Sequence, residues 1–161
     1  MGYYFASGVA TTTQEAITAQ TFGSTRSDSY WVGCRLIVGA ASVSVTHLGR
    51  WKIAGNTGTH TVHIRDHPGG TVIDSVSIDA TLGADGAYQY VALGAPVTLT
   101  AGATYYLLSQ EMTGDTWHDA HSVTVNAAFA SSMDVYTPVS PGAPSLGIDG
   151  RRFAAPNLKF T

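Results

Sequence analysis

Cysteine is all but missing from the chain. Cys34 stands alone, so no internal disulfide framework can brace the fold. In "WVGCRLIV" it alternates with Val32, Leu36 and Val38, the setting of a small buried hydrophobe rather than of a reactive thiolate. Basic residues are scarce too: eight Lys plus Arg against eleven Asp plus Glu give a net charge of −3. A duplex binder needs a basic face to displace counterions from phosphates, so no nucleic-acid partner is expected. No apolar run approaches the roughly 20 residues that cross a bilayer as a helix, and no membrane span is expected. The opening "MGYYFASGVATTTQEAITAQ" has neither a cationic start nor a continuous apolar stretch, so no signal peptide is expected in this chain. There is no G-x-S-x-G elbow and no H-E-x-x-H pair. Glu111 and Asp115 could make a carboxylate pair of the glycosidase sort, but nothing in the sequence sets their separation. The expectation is a non-enzyme.

What the chain does have is a period of two. Apolar residues make up 44% and charged residues only 12%, about half the usual share, with Gly, Thr, Ser and Ala filling the gap. "ASVSVTHL" sends Val43 and Val45 one way and Ser42, Ser44 and Thr46 the other. "THTVHIRD", "TVIDSVSID", "TYYLLSQE", "HSVTVNA" and "NLKFT" continue the series, separated by Gly-, Asn-, Asp- and Pro-rich turns. About ten short strands of this kind predict an all-β fold, an antiparallel two-sheet β-sandwich of jelly-roll type. The expected layout is an N-terminal arm over 1–20 and one sandwich domain over 21–161. A long Pro/Gly-rich loop is expected near 137–150, "TPVSPGAPSLGIDG".

Two stretches carry candidate chemistry. In "GRWKIAGNTGTHTVHIRD" and the residue after it, His60, His63, Asp66 and His67 suggest metal ligands, and Gly55-Asn56-Thr57-Gly58 suggests a phosphate loop. Strand alternation puts His60 and His63 on opposite faces, and Arg65 shares the His63 face, so the ligands do not converge. The glycine loop leads into a strand and lacks the P-loop lysine. The reading is a hairpin turn with histidines looking outward.

The second stretch is "EMTGDTWHDAH", Glu111 to His121, and three readings stay open. Asp115 and Asp119 could give oxygens to a structural calcium; no other cofactor is expected. Trp117 could offer its ring to a pyranose, with His118, Asp119 or Gln110 bonding hydroxyls and Trp31 with Tyr30 as a second aromatic patch. Or Trp117 caps the core while the charges around it are solvated.

The segments "LGRWKIAGNTGTHTVHIRD" and "APVTLTAGATYYLLSQEMTGDTWHD" resemble those of bacterial extracellular β-sandwich modules of the DUF4082 type. In such modules a "GNTGTHTV" hairpin is followed by a "PV-x-L-x-A-G-T-x-Y" strand pair. The resemblance runs from about Thr21 to "NLKFT". It implies a module of secreted carbohydrate-active or cell-surface proteins, related to carbohydrate-binding domains, with Trp117-His118-Asp119 as the aromatic-acid segment. Two functions follow as expectations. The first is a non-catalytic extracellular module whose partner is a polysaccharide or cell-surface glycan. The alternative is a structural or decoration subunit of a phage virion or other extracellular assembly. There it would be held to like copies or particle neighbours by its N-terminal arm and loops.

Overall fold

The computed structural model describes residues 12–68, 70–137, 145–146, 152–153 and 156–161. Residues 1–11 of the expected arm and most of the Pro/Gly-rich loop lie outside the described residues. The strands are β1 (Gln14–Glu15), β2 (Ile17–Arg26), β3 (Trp31–Val38), β4 (Val43–Lys52), β5 (Thr59–Asp66), β6 (Val72–Asp79) and β7 (Ala87–Leu99). They continue as β8 (Thr104–Gln110), β9 (Trp117–Val125), β10 (Phe129–Thr137), β11 (Ser145–Leu146), β12 (Arg152–Phe153) and β13 (Pro156–Phe160). The described residues hold no helix.

All pairings are antiparallel. One layer is a six-stranded sheet in the order β11-β10-β3-β8-β5-β6. Facing it is the four-stranded sheet β1-β13-β4-β7, and a three-stranded sheet, β12-β9-β2, completes the fold. The last two are stitched together at Ala16. Its N–H donates to the Leu158 carbonyl (3.0 Å) and its carbonyl accepts from Asn126 N–H (2.8 Å). Asn157 then clamps the next residue, accepting from Ile17 N–H and donating to its carbonyl, both at 3.0 Å. The arm expected over 1–20 is therefore corrected for its last part. Residues 14–20 are paired strand, and Ala16 and Ile17 are buried in the core.

The period-two pattern reports the core faithfully where both sheets cover it. Cys34, Leu36 and Val38 of β3 meet Val43, Val45, Leu48, Leu158 and Phe160 across the layers, with Val62, Ile64, Val76, Ile78 and Leu107 completing the packing. Each such burial contributes about 1.5–3 kcal/mol. Strand β4 breaks its own alternation. Between the pairs Lys159–His47 and Phe160–Val45 it carries one residue more than β13, namely Thr46. An extra residue shifts every later side chain to the other face. Val43 and Val45 point inward, and after the bulge so do Leu48, Arg50 and Lys52, all buried. Trp51 is left on the outer face.

Candidate functional site

The histidine stretch does not look outward. His60 and His63 are both buried, which corrects the solvent-facing expectation, although they do lie on opposite faces of β5. On the inner side, His60 bonds the Gln110 carbonyl through Nδ1 (2.7 Å) and the Asp115 carboxylate through Nε2 (2.7 Å). Both partners are oxygen acceptors. Asp115 also accepts from Thr57 N–H (2.9 Å) and Gly58 N–H (2.7 Å). Burial alone would raise its carboxyl, but these bonds outweigh it and hold the group below the ordinary value. The glycine loop does cradle an anion, and that anion is the protein's own. A Cβ on Gly58 would lie 2.8 Å from Asp115 Oδ2 and 3.0 Å from Met112 Sδ, so only glycine fits the approach.

Beside this pair lies a second. Arg50 Nε donates to Glu111 Oε1 at 3.0 Å, and Nη2 donates to Oε2 of the same carboxylate and to the Thr116 carbonyl (3.2 Å). Ser109 Oγ donates to Glu111 Oε1 at 2.6 Å. Asn56 bonds both backbone groups of Thr116, its Nδ2 donating at 2.7 Å and its Oδ1 accepting at 3.0 Å. Two basic and two acidic side chains thus lock the β4–β5 loop to the β8–β9 loop, away from water. Glu111 and Asp115 are structural groups rather than solvated ones.

Asp115 and Asp119, read as possible calcium ligands, are both engaged within the protein. Asp115 is enclosed by three donors, and Asp119 accepts from Arg26 Nε through both oxygens (2.9 and 2.8 Å). A cation in either place would face N–H groups or a guanidinium. Among the described residues no cluster of His, Cys, Asp or Glu has the form of a metal site.

The residues expected to hold a glycan are scattered. Trp117 is 3% exposed, so it is no open platform. It packs on Val32 and sets its ring edge-on to Phe153 (5.2 Å, 84°). Its indole N–H donates to the Asp28 carbonyl at 3.1 Å. Trp117 and Tyr30 do line one cavity of about 310 Å³, with Arg26, Asp28, Val32 and Phe153. Trp31 is half-buried with its ring already engaged, stacked on His63 at 4.1 Å and approached by the Arg65 guanidinium at 5.2 Å. Arg65 Nε donates to His63 Nε2 (3.0 Å), and burial, then the Arg65 charge, pushes the imidazole down to about 3. Gln110 is exposed beside Trp31 in register. His118 lies on another face altogether.

On that face the structure assembles something the sequence did not announce. The outer side of β2, β4, β7 and β9 carries a row of rings. His118 meets Phe22 at a tilt (4.6 Å, 35°), as Phe22 does Trp51 (4.7 Å, 49°), Trp51 meets Tyr88 edge-on (5.0 Å), and Tyr88 adjoins Tyr90 (5.8 Å). Lys159 Nζ sits over the Tyr90 ring at 4.2 Å. Tyr90 can lie flat because its cross-strand neighbour is Gly49, where a Cβ would come within 2.4 Å of the ring. A groove of about 250 Å³ lies against the middle of the row, lined by Phe22, Trp51 and Tyr88 on one part and Glu15, Thr18 and Gln20 on the other. The rings are half-exposed. Burial raises both phenols above their ordinary value, and Glu15 adds to this for Tyr90, so both hydroxyls stay protonated donors. Tyr88 donates to Gln20 Oε1 (3.2 Å). Gln20 Nε2 and His118 Nδ1, both screened from solvent, have no hydrogen-bond partner among the described residues. The faint signal for this site is the Tyr88-x-Tyr90 alternation in "AYQYVAL"; the other rings come from distant strands.

A two-layer antiparallel β domain with an aromatic groove on one outer face is thus the class of protein these strands define. Residues 15–146 match the family described as "Domain of unknown function (DUF4082)", and the chain belongs to that family. No curated protein matches the chain.

Proposed function

We propose that this protein is a non-catalytic extracellular module that binds polysaccharide or cell-surface glycan through the groove lined by Phe22, Trp51 and Tyr88. The observation that carries the reading is the row of half-buried rings beside a groove. Aromatic side chains are costly to leave in water and are placed there for contact. Ring faces suit the C–H faces of sugars, and the flanking Gln20, Thr18 and Tyr88 suit their hydroxyls. An open groove with few polar anchors gives weak binding, in the millimolar to micromolar range (about −4 to −8 kcal/mol).

Affinity gel electrophoresis against a panel of soluble polysaccharides tests this directly. The wild-type chain is expected to be retarded by at least one polymer, and Trp51→Ala to lose at least about tenfold in affinity, or 1.4 kcal/mol. Trp51 is on the outer face, so the variant keeps its cooperative thermal transition. Migration unaffected by every polymer ends the reading.

The alternative, a structural or decoration subunit of an extracellular assembly, draws on a different observation. The edge strand β6 exposes Val72 and Ile73, each 42% accessible, and an exposed apolar edge can pair with a neighbour. Light scattering at increasing concentration separates the two: a strictly monomeric chain removes the assembly of like copies.

A further inference from the structure

We propose that the groove holds an uncharged, extended pyranose chain lying side-on, and that Gln20 and His118 determine which chain it accepts. This rests on the glycan-binding reading above and narrows it in three respects.

The first is length. Five rings, His118, Phe22, Trp51, Tyr88 and Tyr90, follow one another across four strands, and three of them, Phe22, Trp51 and Tyr88, line the groove. A blind pocket would select a chain terminus or a single sugar. A row of faces on an open sheet engages successive units of one chain, each on its own ring.

The second is charge. Among the residues lining the groove the only ionisable acid or base of unambiguous charge is Glu15, a carboxylate. Its Oε2 accepts from Asn157 Nδ2 at 3.4 Å, which does not neutralise it. Lys159 is held over the Tyr90 ring, and no Lys or Arg is among the described residues that line the groove. A uronate or sulfate would therefore meet a like charge with no guanidinium or ammonium directed at it, and like-charge contact works against binding.

The third is hydrogen bonding. Gln20 uses its Oε1 for the Tyr88 hydroxyl, leaving Nε2, in the groove wall, without a partner among the described residues. His118 Nδ1, at the start of the row, is equally without a partner among the described residues. Buried polar atoms are rarely left so. A sugar hydroxyl both donates and accepts, so it satisfies the amide N–H and the imidazole nitrogen in either tautomer. An acceptor-only group such as a carboxylate or ester cannot do both. These two atoms are the places where the ligand's hydroxyl pattern is read.

Isothermal titration of the full chain with two ligand sets tests the proposal. One set is neutral: mixed-linkage β-glucan, xylan and galactomannan, with their mono- to hexasaccharides. The other is polyanionic: alginate and polygalacturonate. Binding to at least one neutral polymer is expected, tightening by tenfold or more between mono- and tetrasaccharide, with no heat from the polyanions. Gln20→Ala should weaken that binding by about 3- to 10-fold, the worth of one hydrogen bond. The unfolding midpoint should fall only slightly, because the Tyr88 hydroxyl loses Oε1 as its acceptor while Nε2 has no partner to lose among the described residues. Polyanions bound as well as neutral chains, a monosaccharide bound as tightly as a tetrasaccharide, or Gln20→Ala binding at full strength would each overturn the proposal. If such binding were still abolished by Trp51→Ala, the glycan reading would survive. Failure of every polymer to bind removes both. The chain-length series needs no variant, so it decides even if a substitution impairs folding.

Discussion

Arg50→Leu is expected to be among the most damaging single changes in the molecule, although Arg50 touches no proposed ligand. The side chain is 1% exposed, and its partner Glu111 is 2% exposed. Removing the guanidinium leaves the carboxylate with the Ser109 hydroxyl at 2.6 Å and the His60 ring at 3.4 Å. It also removes the bonds that the Thr116 and Trp51 carbonyls accept from Arg50 at 3.2 Å each, although Thr116 keeps its bond from Asn56. An uncompensated buried charge costs about 3–5 kcal/mol, against a total stability of roughly 5–15 kcal/mol for a domain. With a urea m-value of about 2 kcal/mol/M, the midpoint should fall by roughly 1.5–2.5 M at unchanged slope. The companion variant sharpens the test. Arg50→Leu combined with Glu111→Leu removes both charges and should recover part of the loss, because the penalty belongs to the orphaned carboxylate. A midpoint shift below about 0.5 M for the single variant, or a double variant as unstable as the sum of its parts, would refute the assignment of this pair as the keystone of the two loops.

Other consequences are equally open to measurement. His63 is held neutral, with a folded value of about 3 against 6.5 when free. The unfolded chain therefore takes up a proton between those values, and stability is full above about pH 6.5 and is lost as the pH falls from there toward 3. His63→Gln should flatten urea midpoints across that window, where the slope from one proton reaches about 1.4 kcal/mol per pH unit; an unchanged slope sinks the claim. Asp115 is depressed as well, so its contribution is present above about pH 4 and fades as the pH drops through its folded value. Gly58→Ala should cost about 1–3 kcal/mol through the clash with Asp115 and Met112, seen as a lower thermal midpoint, whereas Gly55→Ala meets nothing within 4 Å and is limited to the strain of its positive φ.

How much of this is legible in the sequence depends on the distance over which the cause acts. Val32, Cys34, Leu36 and Val38 alternate in sequence and are all buried, because an uninterrupted strand obeys its own period. The all-β fold and the family follow from that regularity and from the "GNTGTHTV" hairpin. The orientation of Trp51 does not follow, because one extra residue at Thr46 reverses the phase of the rest of β4. Nor does the burial of His60 and His63. An outward-facing polar residue and one enclosed by Asp115 or Trp31 look alike until the loop at Glu111–Thr116 folds over the strand. A Trp among Asp and His, as at Trp117, has the look of a sugar platform; its Nε1 bond to the Asp28 carbonyl is a tertiary fact. The aromatic groove joins Phe22, Trp51, Tyr88 and His118, residues so far apart in the chain that no local window contains two of their contacts.

That separation makes the groove its own reporter. Strands contributed from positions 22, 51, 88 and 118 come together only when the whole domain is intact, so the unfolded chain offers a ligand nothing comparable. Whatever seats there must raise the melting temperature, by about 2.7 kcal/mol of added stability at a hundredfold excess over Kd. A saccharide library screened by thermal shift can therefore find the cognate chain with neither a label nor an activity to follow, and Trp51→Ala supplies the blank.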